Sequence, residues 1–103
     1  MTRRIVPVDE RQRYPAKPNS KFPPAPPDIN KEARDWYEGI ARMPHTVAWR
    51  SPEWIDLRRM ARVVEFTNNN EPRASLLTEI RRFEQRAGVT AADRAALGIV
   101  WDE

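Results

Sequence analysis

Seven of the ten prolines lie in the first 27 residues: Pro7, Pro15, Pro18, Pro23, Pro24, Pro26 and Pro27. Each fixes φ and removes a backbone donor, so neither a helix interior nor a central strand can be built through them. The run Phe22-Pro23-Pro24-Ala25-Pro26-Pro27 favours polyproline II, and few large apolar side chains lie between the prolines. Residues 1–27 therefore read as an extended, disordered arm. About 76 residues remain to build a core, and a core of that size retains little net stability. The chain has no cysteine, which excludes disulfides and zinc–thiolate sites, and the lone histidine, His45, cannot make a histidine-rich metal site. Oligomerisation is the remaining way to stabilise the fold.

Charge is distributed unevenly. The arm carries Arg3, Arg4, Arg11, Arg13, Lys17 and Lys21 against Asp9 and Glu10, whereas the rest is close to neutral. The basic character thus belongs to the arm. A solvated tail and a nucleic-acid-binding arm both fit this composition. The sequence holds no run long enough to span a membrane and no apolar leader, so the expected location is the cytoplasm.

The remainder reads as three helices and a short fourth. Ile29, Ala33, Trp36, Tyr37 and Ile40 form one stripe of a 3.6-residue period, predicting a helix from Ile29 or Asn30 to Met43, with Asp28 or Asn30 as its N-cap, stopped by Pro44. A linker from His45 to Arg50 holds Val47 and Trp49, expected to tuck onto the core. Ser51 as N-cap, with Pro52 and Glu53 after it, opens a second helix reaching about Phe66. Trp54, Leu57, Met60, Ala61 and Val64 share one sector of it. Ile55, Val63 and Phe66 lie roughly opposite. Two apolar faces need two neighbours, and one can be another subunit; Ile55, Val63 and Phe66 are the candidate oligomer interface.

Asn68-Asn69-Asn70 reads as a loop. A third helix follows from Glu71 or Pro72 to Ala87, with Leu76, Leu77, Ile80 and Phe83, and is capped by Gly88. Thr90 and Asp93 form a capping box for the short helix that ends at Gly98. Ile99, Val100 and Trp101 close the chain beside Asp102 and Glu103. Trp101 either folds back onto the third helix or anchors a docking tail, and Ile99, Val100 and Trp101 are the candidate partner-binding residues. No strand pattern is convincing, so the expected class is all-α. The expected organisation is a 1–27 arm, a 28–98 helical oligomerisation domain and a 99–103 tail.

Enzymatic constellations lack their parts. His45 has no nucleophile arranged beside it, and Gly39, Gly88 and Gly98 are too scattered for a phosphate-cradling loop. Glu79 with Glu84, or Asp56 with Glu53, could pair around Mg²⁺. These acids sit among arginines, and ion pairing is the better reading, with Glu84 facing outward. Arg58, Arg59 and Arg62 on the second helix, and Arg81, Arg82 and Arg86 on the third, form either a solvated face or a phosphate-binding cluster brought together by neighbouring subunits. No catalytic residue, metal or cofactor is assigned.

The run from Leu76 through Glu79-Ile80-Arg81-Arg82-Phe83-Glu84 to Ala87-Gly88-Val89-Thr90, then Arg94, Leu97 and Trp101, resembles the C-terminal signature of small terminase subunits of tailed bacteriophages and prophages. Trp36-Tyr37, Met43-Pro44 and Ser51-Pro52-Glu53-Trp54 resemble the family's first two helices, so the likeness covers about residues 27–101. It implies a non-catalytic protein of the bacterial host cell that forms a ring of roughly eight to ten subunits. That ring engages double-stranded DNA and regulates the large terminase subunit, which holds the ATPase and nuclease. No separate helix-turn-helix domain precedes the helices, and a proline-rich arm stands there instead. Weak DNA binding of low sequence specificity fits this departure, with the six arm cations as the contacts. A phage and a domesticated phage-like particle fit equally well. The alternative is a stand-alone small DNA-binding regulator.

Overall fold

The structure is a computed structural model that describes residues 6–71 and 73–102. Four helices carry most of it: α1, Lys31–Ala41; α2, Ser51–Asn69; α3, Ala74–Ala87; and α4, Ala91–Leu97. Each packs on the next in chain order. Two short strands, β1 (Gln12–Pro15) and β2 (Ile99–Asp102), pair in parallel, with Gln12 opposite Ile99 and Pro15 opposite Asp102. The all-α expectation is corrected accordingly to a mostly helical fold with a small parallel sheet. β1 is polar and ends in proline, so no local pattern marks it as a strand; its partner lies at the far end of the chain.

Local signals set most helix ends. The Asn30 side chain accepts from the Ala33 N–H at 2.9 Å and caps α1. Glu53 reaches back to the Arg50 N–H at 3.2 Å, which makes Arg50, not Ser51, the residue preceding α2. α2 continues to Asn69, so the asparagine run expected as a loop mostly prolongs the helix, and Asn70 Nδ2 donates to the Phe66 carbonyl at 2.8 Å. Thr90 and Asp93 bond each other's backbone N–H at 3.1 and 3.3 Å, closing the capping box of α4. Gly88 and Gly98 adopt φ of +72° and +73° and end α3 and α4. At Gly98 the requirement is doubled, because an added Cβ would lie 2.6 Å from Val6 Cγ1.

The core joins Ala33, Tyr37, Ile40 and Ala41 of α1 to Leu57, Ala61 and Val64 of α2 and Phe83 and Ala87 of α3. Residues 6–27 are docked on this core instead of extending away as an arm. Pro26 is buried, and Phe22 and Ala25 pack against the helices. A polyproline segment leaves its carbonyls free and has few N–H groups to satisfy, and the helices supply the missing donors. Tyr37 Oη donates to the Pro23 carbonyl at 2.7 Å and Arg58 to the Pro24 carbonyl at 2.8 Å. Arg62 holds Asp28 through both carboxylate oxygens, at 3.0 and 3.1 Å. Further back, buried Asn19 donates to Thr46 Oγ1 at 2.9 Å, while its own N–H reaches the Arg42 carbonyl at 2.8 Å. Residues 44–48, expected as a linker, form a 3-10 turn in which His45 and Thr46 are buried. Val47, expected on the core, is 59% exposed.

Candidate partner and assembly surfaces

β2 places Trp101 over the end of α3 and the start of α4. Its indole N–H donates to His45 Nδ1 at 3.1 Å. An indole is only a donor, so His45 carries its proton on Nε2 and donates it to the Ala87 carbonyl at 2.6 Å. Burial pushes the His45 pKa below its ordinary value; the Ala87 hydrogen bond opposes this and the Arg94 charge reinforces it. The Arg94 guanidinium stands 3.7 Å from the Trp101 ring centroid, a cation–π contact, and donates to the carbonyls of Gly88 and Val89 at 3.1 and 2.9 Å. Trp101 therefore seats on His45 and Arg94 and packs, half-buried, against the core.

Beside this node, Ile99, Val100 and Trp101 join Ala92, Ala95 and Ala96 of α4 to line a mainly apolar groove of about 700 Å³. Among the described residues that line it, Arg11 and Arg94 are charged and none is a carboxylate. In a parallel ladder, alternate residues of each strand turn their backbone groups toward the partner. Gly98 and Asp102 accept from Gln12 and Ala16, so Ile99 and Trp101 turn theirs to the opposite edge. The three candidate partner-binding residues are thus half-buried along one side of a groove, held by the strand rather than hanging from it as a tail.

On α2, Ile55 and Phe66 are 49% and 45% exposed, and Val63 is half-buried between them. They lie opposite Leu57, Ala61 and Val64, which face the core. The sequence-derived oligomer stripe is therefore one continuous outward face, with exposed Arg59 in its middle.

Arg11, Arg13, Lys17 and Lys21 are exposed, while Arg3 and Arg4 lie outside the described residues. Two of the four are engaged within the chain. Arg13 forms a bidentate pair with Asp102, its Nε 3.1 Å from Oδ2, and Arg11 Nε donates to the Val6 carbonyl at 3.1 Å. The helical arginines are mostly paired as well. Arg81 grips the buried Asp93 with two hydrogen bonds at 3.0 and 3.1 Å, which hold that carboxyl below the usual range against the effect of burial. Arg82 meets Glu79 at 3.2 Å and Arg86 meets Asp56 at 3.7 Å. Glu84, expected to face outward, accepts from Trp36 Nε1 at 3.0 Å. Among the described residues no group of His, Asp or Glu could hold a metal ion, and no helix is long and apolar enough to cross a membrane.

What stands out on this molecule is surface: an apolar stripe on a long helix, a groove between β2 and α4, and exposed cations on a docked basic segment. Fold and surface together define a small helical protein built around exposed faces. The chain belongs to the phage terminase small subunits, whose family model matches residues 2–101. No curated protein and no solved structure matches it. Membership gives the chain a role in phage DNA packaging.

His45 and the β1–β2 pairing were missed by sequence reasoning. No local signal marked the role of His45, because its partners Ala87 and Trp101 lie 42 and 56 positions away. β1 offered none.

Proposed function

We propose that this chain is a non-catalytic packaging adaptor that assembles into a ring of roughly eight to ten copies. The ring engages double-stranded DNA with low sequence specificity and recruits or regulates the large terminase ATPase and nuclease. The observation that carries this reading is the Ile55–Val63–Phe66 stripe. A chain with so small a core gains by covering such a stripe, and burying one large apolar side chain contributes roughly 1.5–3 kcal/mol. The DNA surface is the basic segment with Arg3, Arg4, Arg11, Arg13, Lys17 and Lys21. Single segments bind poorly, but a ring presents many at high effective concentration. Phosphate contacts carry no sequence information, so the binding is salt-steep and largely sequence-independent. The large subunit docks at the groove beside Ile99, Val100 and Trp101, where an apolar floor and open strand groups suit an extended peptide.

Light scattering on the purified protein at tens of micromolar tests the assembly. The expected result is the mass of many chains, and a monomer at that concentration rules the ring out.

A further inference from the structure

The two edges of the small sheet are finished differently. On the outer edge of β1, Pro15 has no N–H to offer, and its carbonyl already accepts from the Lys17 N–H at 2.8 Å. That edge is closed to a further strand. On β2, Gly98 and Asp102 accept from Gln12 and Ala16, which turns the N–H and C=O groups of Ile99 and Trp101 away from β1. Among the described residues these four groups meet no hydrogen-bonding partner, and neither proline nor lysine blunts the strand. Ile99 and Trp101 both line the groove of about 700 Å³, together with Ala92, Ala95 and Ala96 of α4. Methyl groups give that helix an apolar wall without bulk.

The groove also holds charge without a counterion. Arg94 is half-buried over Trp101, bonded to two carbonyls, and no described carboxylate pairs with it. Burial pushes the Arg94 guanidinium below the ordinary arginine value, with the Asp93 charge opposing, but Asp93 is itself gripped by Arg81. Arg11 is exposed at the same groove with no described ion pair. Asp35 and Glu84 line a separate hollow that Arg94 and Trp101 also border, and they are held by Lys31, and by Trp36 and Arg81.

We propose that an extended segment of the large terminase subunit adds to β2 as a third strand in this groove, with apolar side chains against the α4 alanines and a carboxylate at Arg11 and Arg94. The inference rests on the reading that the large subunit docks here, and it specifies the mode and the class of peptide. Alternate side chains of a strand face the same way, so the fitting sequence has apolar residues at every second position and an Asp or Glu beside them. A second copy fits worse. Among the described residues, the open edge it brings is its own β2, and pairing two such edges about a two-fold axis sets like charges, Arg11 and Arg94 of each groove, against one another.

Hydrogen exchange resolved to single residues tests the mode, on the full chain with and without the full-length large subunit and in the absence of DNA. On binding, the N–H groups of Ile99 and Trp101 are expected to slow by about tenfold or more. Those of Val100 and Asp102, which already face β1, should not share the change. Arg11→Glu is expected to weaken binding severalfold, more at low salt than at high salt. Binding that Ala95→Arg abolishes, but that leaves the Ile99 and Trp101 amides fast, overturns the added strand and leaves docking at the groove in place. Protected amides with binding unmoved by Arg11→Glu overturn the acidic character of the segment. Binding indifferent to Ala95→Arg, with both amides fast, overturns both readings. Protection of the two amides in the free protein, rising with its concentration, gives the edge to a second copy and overturns the large subunit as its occupant.

Discussion

His45 is buried with both ring nitrogens engaged, Nε2 as donor to Ala87 and Nδ1 as acceptor from Trp101. Only the neutral ring satisfies this arrangement, because the imidazolium has no acceptor to offer the indole. With the folded pKa lowered, folding disfavours the proton, so the neutral ring's contribution is fully present above the unfolded value of about 6.5. It is lost as pH falls through the lower folded value. Thermal melts of the wild type should therefore show stability declining below about pH 6.5, and His45→Gln should flatten that decline. A wild-type melting temperature that is flat from pH 7 to 5 would contradict the assignment. Trp101→Phe tests the same bond from the other side. It keeps an aromatic ring but leaves Nδ1 without its donor, at a cost of about 1–3 kcal/mol, read from denaturant unfolding.

At the scale of elements, β2 has a structural part and, in the proposed reading, a docking part, which a simple truncation would confuse. Removing residues 99–103 deletes Trp101, unpairs β1 and strips Arg13 of its partner. That loss should exceed about 2 kcal/mol and lower the melting temperature by roughly 8 °C or more in a domain of this size. A fall in motor stimulation after such a truncation would then say nothing about docking. Ala95→Arg separates the two. Ala95 is exposed on α4 and lines the groove beside β2, so the substitution should change stability by no more than about 0.5 kcal/mol. It should nonetheless reduce stimulation of the large subunit's ATPase severalfold. Full stimulation by a folded Ala95→Arg protein would move the docking site elsewhere.

For the whole molecule, the docked proline segment changes how DNA binding has to be probed. Deleting residues 1–24 would remove β1, Asn19 and the Pro23 and Pro24 carbonyls that Tyr37 and Arg58 bond, and would destabilise the fold along with the cations. Charge removal at Lys17 and Lys21 is the cleaner measurement, since both are exposed and neither ammonium has a described ion-pair partner. The double Gln variant should weaken DNA binding with little effect on stability. It should also reduce the slope of log affinity against log salt, by about 0.9 for each phosphate that is no longer neutralised. An unchanged slope would place the DNA contacts on other residues. Arg13→Gln breaks the Asp102 pair and should register in melting as well as in binding.

The four helices, the Thr90 cap, the glycine stops at 88 and 98 and the two-faced α2 were all legible in the sequence, and Asn30 was one of its two candidate caps for α1. Each is written in residues within a few positions of one another, where periodicity and capping chemistry operate. The β1–β2 pair was not legible, because Arg13 and Asp102 are 89 residues apart and Gln-Arg-Tyr-Pro has no strand pattern of its own. Its pairing depends on α4 ending at Gly98 beside Val6. The basic proline segment likewise read as free, because polyproline needs no partner, and it docks only because the folded helices present Tyr37, Arg58 and Arg62 where its carbonyls and Asp28 lie. The sequence by itself thus determined the local elements and their outward faces. The tertiary structure decided which ends met, because contacts between distant segments form only once packing has brought them together.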